Sequence, residues 1–132
     1  MGTVGYLLDT HTFLWLLRES PKLSDNARKV MSDPNTTKYV SAVSAYEIMY
    51  KHNIGKLPEF EDIAKNYFSL LRDCGAEELP ITTQHAHFAG CLDWEHRDPF
   101  DRLLAAQAKL ENMTLITNDP MISALDWVKV IW

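Results

Sequence analysis

Five carboxylates stand where predicted strands end or predicted helices begin, and they are the residues of this sequence best suited to chemistry. They are Asp9, Glu47, Asp98, Asp101 and Asp119. Carboxylate clusters without cysteine or paired histidine are hard oxygen sites, which suit Mg²⁺ or Mn²⁺. A cation held in this way acidifies a bound water and neutralises charge that grows on a phosphate. The pattern therefore indicates metal-dependent hydrolysis of a phosphodiester, which needs no side-chain nucleophile.

Two of these acids lie at the head of a predicted helix in residues 98–108, DPFDRLLAAQA. Asp98 suits the N-cap, and Pro99 suits the first helical position because its missing N–H would have no partner there. Helical periodicity places Asp101 on the face that packs inward, where a charge is costly unless a cation or donors hold it. The rest of that face consists of Leu104, Ala105 and Ala108. A purely structural role, as helix cap and dipole partner, is the alternative.

Short apolar runs alternate with helical patterns along the chain, and two of the runs end directly at an acid. The predicted strands span residues 4–8, 39–43, 78–81, 113–117 and 128–131. This alternation predicts an α/β fold with a mostly parallel central sheet and helices on both faces, in which ligands bind at the carboxyl ends of the strands. We expect Asp9 and Asp119 just past strand ends, and Glu47 and Asp101 in the first turns of helices, all at one edge of the sheet.

Three local patterns make further structural predictions. Ser44 and Glu47 have the spacing of a capping box, which predicts that a helix begins there and runs to about residue 53. Residues 59–73 have one amphipathic helical pattern. Gly55 and Gly75 follow these two helices and suit C-terminal stops. Thr10 and Thr117 have hydroxyls that could orient a ligand, although threonine at a strand end is ordinary turn chemistry.

Composition sets limits on the class of protein. With 132 residues and 46% hydrophobic content, the chain predicts a single domain, residues 1–132. It has no apolar run long enough to span a membrane and no basic start typical of a secretory signal, so we expect no membrane association and a cytoplasmic location. The net charge of −5 argues against a protein that coats nucleic acid, but not against a nuclease with bound metal.

Rival interpretations lack their characteristic residues. The sequence contains neither G-x-x-x-x-G-K-[ST] nor G-x-G-x-x-G, so nucleotide binding is not supported. A phosphatase with an aspartate nucleophile would need a second acid where His11 stands. A receiver-like Mg²⁺-binding signalling domain would need an adjacent acid pair after the first strand and a lysine after the last strand. A catalytically inactive interaction module on a nuclease-like fold is a further alternative.

Several segments, taken in order, resemble the PIN-domain family, and most closely the VapC-like toxins of type II toxin–antitoxin systems. They are LLDTHTFLW at 7–15, SAYEI at 44–48, GKL at 55–57, HRDPFDRLLAAQA at 96–108 and LITND at 115–119. The resemblance implies a three-layer α/β/α PIN-like fold and a Mg²⁺- or Mn²⁺-dependent endoribonuclease. It also implies that Asp9, Glu47, Asp101 and Asp119 form the catalytic and metal-binding set, with Asp98 as a nearby ligand. Either Asp98 or Asp101 takes the third principal position.

The same resemblance implies three partners: an RNA substrate, a cognate antitoxin that occupies the active site, and a second copy in a homodimer. Basic residues that could contact an RNA backbone are Lys51, His52, Lys56 and Arg102. The first helix is dense in apolar side chains at residues 13–16, and not all of them can face one sheet. We therefore expect part of that helix to contact another chain.

Overall fold

The computed structural model describes residues 4–132, and one five-stranded sheet crosses it with the strand order β3-β2-β1-β4-β5. Every pairing in the sheet is parallel. The strands are β1 (Val4–Leu8), β2 (Thr36–Ser41), β3 (Glu77–Leu79), β4 (Thr114–Ile116) and β5 (Val130–Ile131). The parallel sheet predicted from the sequence is confirmed, and β1 and β4, the two strands followed by acids, are neighbours in it.

Helices connect the strands. They are α1 (Thr10–Leu17), α2 (Asp25–Ser32), α3 (Ala42–Asn53), α4 (Glu61–Lys65), α5 (Tyr67–Asp73), α6 (Thr83–Cys91), α7 (Pro99–Leu110) and α8 (Pro120–Ser123), with a 3-10 turn at Pro58–Phe60. Among the helices in residues 4–132, none has both the length and the apolar character that a membrane span requires.

Alternating side chains of the central strands build a separate core on each face of the sheet. In β1, Leu8 packs with α1, α2, α4 and α5 on one face, whereas Leu7 packs with α7 and α8 on the other. Ile116 and Leu115 of β4 divide between the two cores in the same way. These two cores with the sheet between them confirm the three-layer α/β/α architecture.

The start of α3 differs from the sequence prediction, and the difference moves Glu47. Ser41, not Ser44, is the N-cap, and its hydroxyl accepts the Val43 N–H at 3.0 Å. The apolar residues Ala42 and Val43 were predicted as the end of a strand, but they form the first turn of the helix. Glu47 therefore lies in the second turn of α3 rather than in its first, and no capping box forms at Ser44.

The amphipathic pattern of residues 59–73 forms two short helices after the 3-10 turn, not one continuous helix. The break lies at Asn66, whose φ of −120° is outside the helical range. The Asn66 side-chain amide donates to the Asp62 carbonyl at 2.9 Å, which satisfies one of the last carbonyls of α4. The predicted stops at Gly55 and Gly75 are confirmed, with φ of 75° and 79°.

The apolar side chains of α1 divide between the core and the surface. Phe13 and Leu14 are fully buried in the core. Trp15 is half-buried, and its ring meets that of Trp132 edge-on at 5.8 Å between centroids. The end of the chain therefore covers part of α1, whereas Leu16 and Leu17 stay partly exposed. Contact of α1 with another chain remains a prediction. More strongly exposed apolar side chains lie on α3.

The position of the α3 cap generates a test. Ser41→Ala removes the acceptor for the Val43 N–H, so we expect the free energy of unfolding to fall by about 1 kcal/mol in urea denaturation. The Val43 amide should also exchange with solvent faster. Ser44→Ala is the control, because the Ser44 hydroxyl contacts Thr10 rather than the helix start. Faster Val43 exchange in Ser44→Ala but not in Ser41→Ala would restore the sequence prediction.

Candidate active site

Asp9 follows β1 directly, as the sequence predicts, and it is also the N-cap of α1. Its side chain is only 8% exposed. One carboxylate oxygen accepts the Thr12 N–H at 2.7 Å, and the other accepts the Thr117 hydroxyl. Burial raises the pKa of Asp9, and the hydrogen bonds from Thr117 and Thr12 oppose that rise. Hydrogen bonds therefore hold the Asp9 carboxylate in place. Its ionisation costs free energy unless further positive charge lies nearby.

Thr117 connects the ends of the two central strands. It is fully buried just past β4, and its hydroxyl donates to Asp9 and accepts the Asp119 N–H at 3.1 Å. Asp119 in turn caps α8, accepting the Met121 N–H at 2.8 Å. Asp9 and Asp119 line one cleft, together with His11, Trp15, Asn118 and Pro120. The hydroxyl of Thr117 therefore has a specific role in ordering this edge, beyond ordinary turn chemistry.

Glu47 reaches the same edge from the second turn of α3. It is 5% exposed, and its Oε1 accepts the Thr10 hydroxyl at 2.6 Å. The Ser44 hydroxyl lies 3.0 Å from the Thr10 oxygen. The second carboxylate oxygen of Glu47 accepts from Lys51, one turn further along α3. Because Thr10 follows Asp9 in the chain, this network joins Glu47 to Asp9.

The head of α7 contributes Asp98, Asp101 and a histidine. Asp98 is the N-cap and accepts the Phe100 N–H at 2.9 Å. Asp101 Oδ2 lies 2.6 Å from His96 Nε2, which donates to it when the carboxyl group is ionised. One ligand atom from each of His96, Asp98 and Asp101 lies within 4.8 Å of the other two. Leu104, Ala105 and Ala108 are buried, which confirms the inward face on which Asp101 was predicted.

The pKa of Asp101 reflects both its burial and the acids around it. Burial raises its pKa to about 6, and the His96 hydrogen bond opposes the rise. The charges of Asp98 and Asp119 raise the pKa further. Because Asp119 is among the charges that raise the pKa of Asp101, the end of β4 and the head of α7 are electrostatically coupled. Hydrogen bonds through Thr10 and Thr117 link Asp9, Glu47 and Asp119, and Asp98 and Asp101 lie beside His96.

Sequence reasoning gave no role to His96 and did not indicate the partners of two cations. His96 lies in an irregular loop, where no periodicity indicates its direction; its position just before the two acids was the signal that sequence offered. Lys51 pairs with Glu47. Arg102, predicted as an RNA contact, is turned inward and donates to backbone carbonyls. Of the other two candidate cations, Lys56 is exposed and His52 is half-buried.

The donor set fits a hard divalent cation. It consists of carboxylate oxygens with one imidazole nitrogen, and burial raises the pKa of two of the acids, Asp9 and Asp101, so that a cation would favour their charged forms. A phosphate could approach through the cleft beside Asp9 and Asp119, since Asn118 and Pro120 on its rim are exposed.

Comparison with known proteins identifies the family. The PIN domain model matches residues 6–128, which is most of the chain. The chain belongs to the PIN domain family. Its fold is similar to VapBC2 from Rickettsia felis bound to a promoter DNA fragment, with a TM-score of 0.71, 20% identity and coverage of 98% of this chain and 99% of that chain. It is also similar to VapBC-5 of Mycobacterium tuberculosis, from the VapBC family of toxin–antitoxin systems, with a TM-score of 0.62, 20% identity and coverage of 97% and 98%.

A curated relative is similar in sequence over part of its length. Ribonuclease VapC16 of Mycobacterium tuberculosis is 34% identical over 73 residues, which cover 52% of this chain. The match spans about half the length of that relative, 50%. The resemblance to VapC-like PIN domains predicted from the sequence is confirmed, and a receiver-like domain is not favoured.

The raised pKa of Asp101 predicts how stability changes with pH. Because the folded protein holds the Asp101 proton up to a pKa of about 6, wild-type stability should fall as pH rises from about 4 to 6. In EDTA, Asp101→Asn should be more stable than wild type at pH 7, by up to about 3 kcal/mol, and the difference should shrink toward pH 4. Urea denaturation across this pH range measures the effect.

Asp98→Asn is the matched control, since asparagine is also a good N-cap and the stability change should be small. A stability gain in Asp101→Asn that stays constant from pH 4 to pH 7 would contradict the assigned cause.

Proposed function

We propose that this chain is a Mg²⁺- or Mn²⁺-dependent endoribonuclease, the toxin of a type II toxin–antitoxin system, acting as one PIN-like domain in the cytoplasm. The observation that carries the proposal is the linkage of acids from separate parts of the chain. Hydrogen bonds through Thr10 and Thr117 link Asp9, Glu47 and Asp119, and the charge of Asp119 acts on Asp101. The PIN family membership and the similarity to a protein named as a VapC ribonuclease support the same function.

Asp9, Glu47, Asp101 and Asp119 would hold the metal, with Asp98 as an additional ligand. A bound Mg²⁺ or Mn²⁺ supplies acidity to a coordinated water and neutralises charge on the phosphate. The protein contributes fixed ligand positions: Thr117 and the α1 N-terminus hold Asp9, whereas Thr10 and Lys51 hold Glu47. Such preorganised anions need little rearrangement during the reaction.

Asp101 has the main role among the two α7 acids in this proposal. Within residues 4–132 its one hydrogen-bond donor is His96, and burial raises its pKa to about 6, so a cation would stabilise its charged form. The Asp98 oxygen Oδ1 is already occupied by the Phe100 N–H as a helix cap. We therefore assign Asp101 to the third principal position and Asp98 to a supporting one.

The nuclease proposal predicts distinct results for the acids. Purified protein should cut RNA with Mg²⁺ or Mn²⁺ and stop when EDTA is added. Asp9→Asn and Asp101→Asn should each lower the cleavage rate by about 100-fold or more, because each removes an anionic ligand, whereas Asp98→Asn should lower it only partly. Cleavage rates and Mn²⁺ titration calorimetry provide the measurements.

Circular dichroism of the Asp9→Asn protein controls for loss of the fold. If Asp9→Asn cuts RNA as fast as wild type, the site assignment is wrong. Inactivity of the wild type toward every RNA and metal would favour the inactive interaction module instead.

The proposed partners are an RNA substrate, a cognate antitoxin and a second copy of the chain. The VapBC complexes that share the fold support an antitoxin partner. For the homodimer, we propose the exposed stripe of α3. Three large apolar residues of α3 and its C-cap, Ile54, recur at helical spacing with exposures of 65%, 39%, 49% and 47%: Tyr46, Met49, Tyr50 and Ile54. Met49 also lines a groove with Phe68, which is 80% exposed and extends this surface.

The dimer is tested with charges on that stripe. The wild-type protein should be a dimer by size exclusion with light scattering, and the double variant Tyr50→Glu/Ile54→Glu should raise the dimer dissociation constant by about 10-fold or more. Leu110→Glu is the control, because Leu110 is equally apolar and exposed but lies at the far end of α7. A wild-type monomer at all concentrations, or dissociation by Leu110→Glu alone, would contradict the α3 interface.

A further inference from the structure

Arg102 follows Asp101 in α7 and binds the backbone of the loop that precedes the helix. Its guanidinium donates to four carbonyl oxygens, at distances of 2.6 to 3.2 Å. They belong to Ala89, Leu92, Trp94 and His96. Four of the five guanidinium N–H groups are used in this way. The side chain therefore has little capacity left for a phosphate.

The loop held by Arg102 is the one that delivers His96 to Asp101. Residues 92–98 have no helical or strand structure, so their carbonyls need partners other than a regular backbone ladder. The Arg102 guanidinium donates to the carbonyls of three of the loop residues, including His96. The His96 ring packs against Trp94 at 5.1 Å between centroids, and its Nε2 bonds Asp101. Asp101 thus holds the ring of His96, and the next residue, Arg102, holds its backbone carbonyl.

We propose that Arg102 is a positioning residue for the acidic site. By binding the loop carbonyls it keeps the His96 ring on Asp101, so that Asp101 is held in a geometry suited to metal binding. The inference rests on the proposed metal-dependent function, and its direct readout is metal affinity rather than RNA cleavage. Partners that orient metal ligands typically change metal affinity by about 10- to 100-fold when they are removed.

The Arg102→Lys variant distinguishes positioning of the loop by the guanidinium from an effect of its positive charge. Lysine keeps the positive charge but has one ammonium group in place of a planar fork, and it cannot bond four carbonyls spread along a loop. We expect the Mn²⁺ dissociation constant in calorimetry without RNA to rise by about 10-fold. In cleavage assays kcat should fall while KM for RNA stays nearly unchanged. Arg97→Lys is the matched control, since Arg97 is exposed in the same loop, and its Mn²⁺ affinity should change by no more than about 2-fold.

A double-mutant cycle tests whether Arg102 acts through His96. His96→Ala removes only the ring that contacts Asp101, so His96→Ala and the double variant Arg102→Lys/His96→Ala should have similar Mn²⁺ affinities. Effects that multiply in the double variant would overturn the proposal. Unchanged Mn²⁺ affinity in Arg102→Lys, with a higher KM for RNA, would also overturn it and would make Arg102 a phosphate contact.

A measurement on the wild type keeps the proposal testable if Arg102→Lys does not fold. Because coupling between metal and loop is reciprocal, Mn²⁺ should slow hydrogen exchange in residues 92–98. Unchanged exchange on saturation with Mn²⁺, or no Mn²⁺ binding, would overturn the proposal. If the variants weaken Mn²⁺ binding as expected but the wild type cuts no RNA, the role of Arg102 stands and the nuclease proposal fails.

Discussion

The hydrogen bond between Thr117 and Asp9 joins the two central strands at the point where both end. Asp9 is buried, so its charge needs donors on both oxygens, and Thr117 and the first turn of α1 provide them. The same threonine oxygen accepts the Asp119 N–H. One buried hydroxyl thus sets the relative positions of two acids that lie more than a hundred residues apart in the sequence.

Structural and functional roles coincide in three of the acids. Asp9, Asp98 and Asp119 are the N-caps of α1, α7 and α8, and all three helices begin at the same sheet edge. A helix N-terminus presents free N–H groups and partial positive charge, which stabilise a nearby carboxylate. The N-cap predicted at Asp98 is confirmed, and capping by all three acids lowers the cost of placing like charges near one another.

Local signals in the sequence were sufficient for the features that depend on local structure. The apolar runs before Asp9 and Asp119 and the proline after Asp98 predicted where these acids lie, because strand ends and helix caps are determined by neighbouring residues. The prediction failed where contacts between residues far apart in the sequence determine the local structure. Ser41 and Ser44 both suit a cap, and only the packing of Ala42 and Val43 into a helix selects Ser41. Arg102 has the positive charge expected of an RNA contact. Its guanidinium donates to backbone carbonyls of the preceding loop, which the fold shows and the local sequence does not.

The five carboxylates are not equally compensated, and the difference indicates where positive charge is still lacking. Glu47 has the Lys51 ammonium group, and Asp9 has two hydrogen-bond donors. Burial raises the pKa of Asp101 to about 6, the charges of Asp98 and Asp119 add to the rise, and the hydrogen bond to His96 opposes it. Negative charge is therefore concentrated between the head of α7 and the end of β4. A divalent cation would lower the electrostatic energy most at that position, between acids whose geometry the helix caps and the His96 loop already fix.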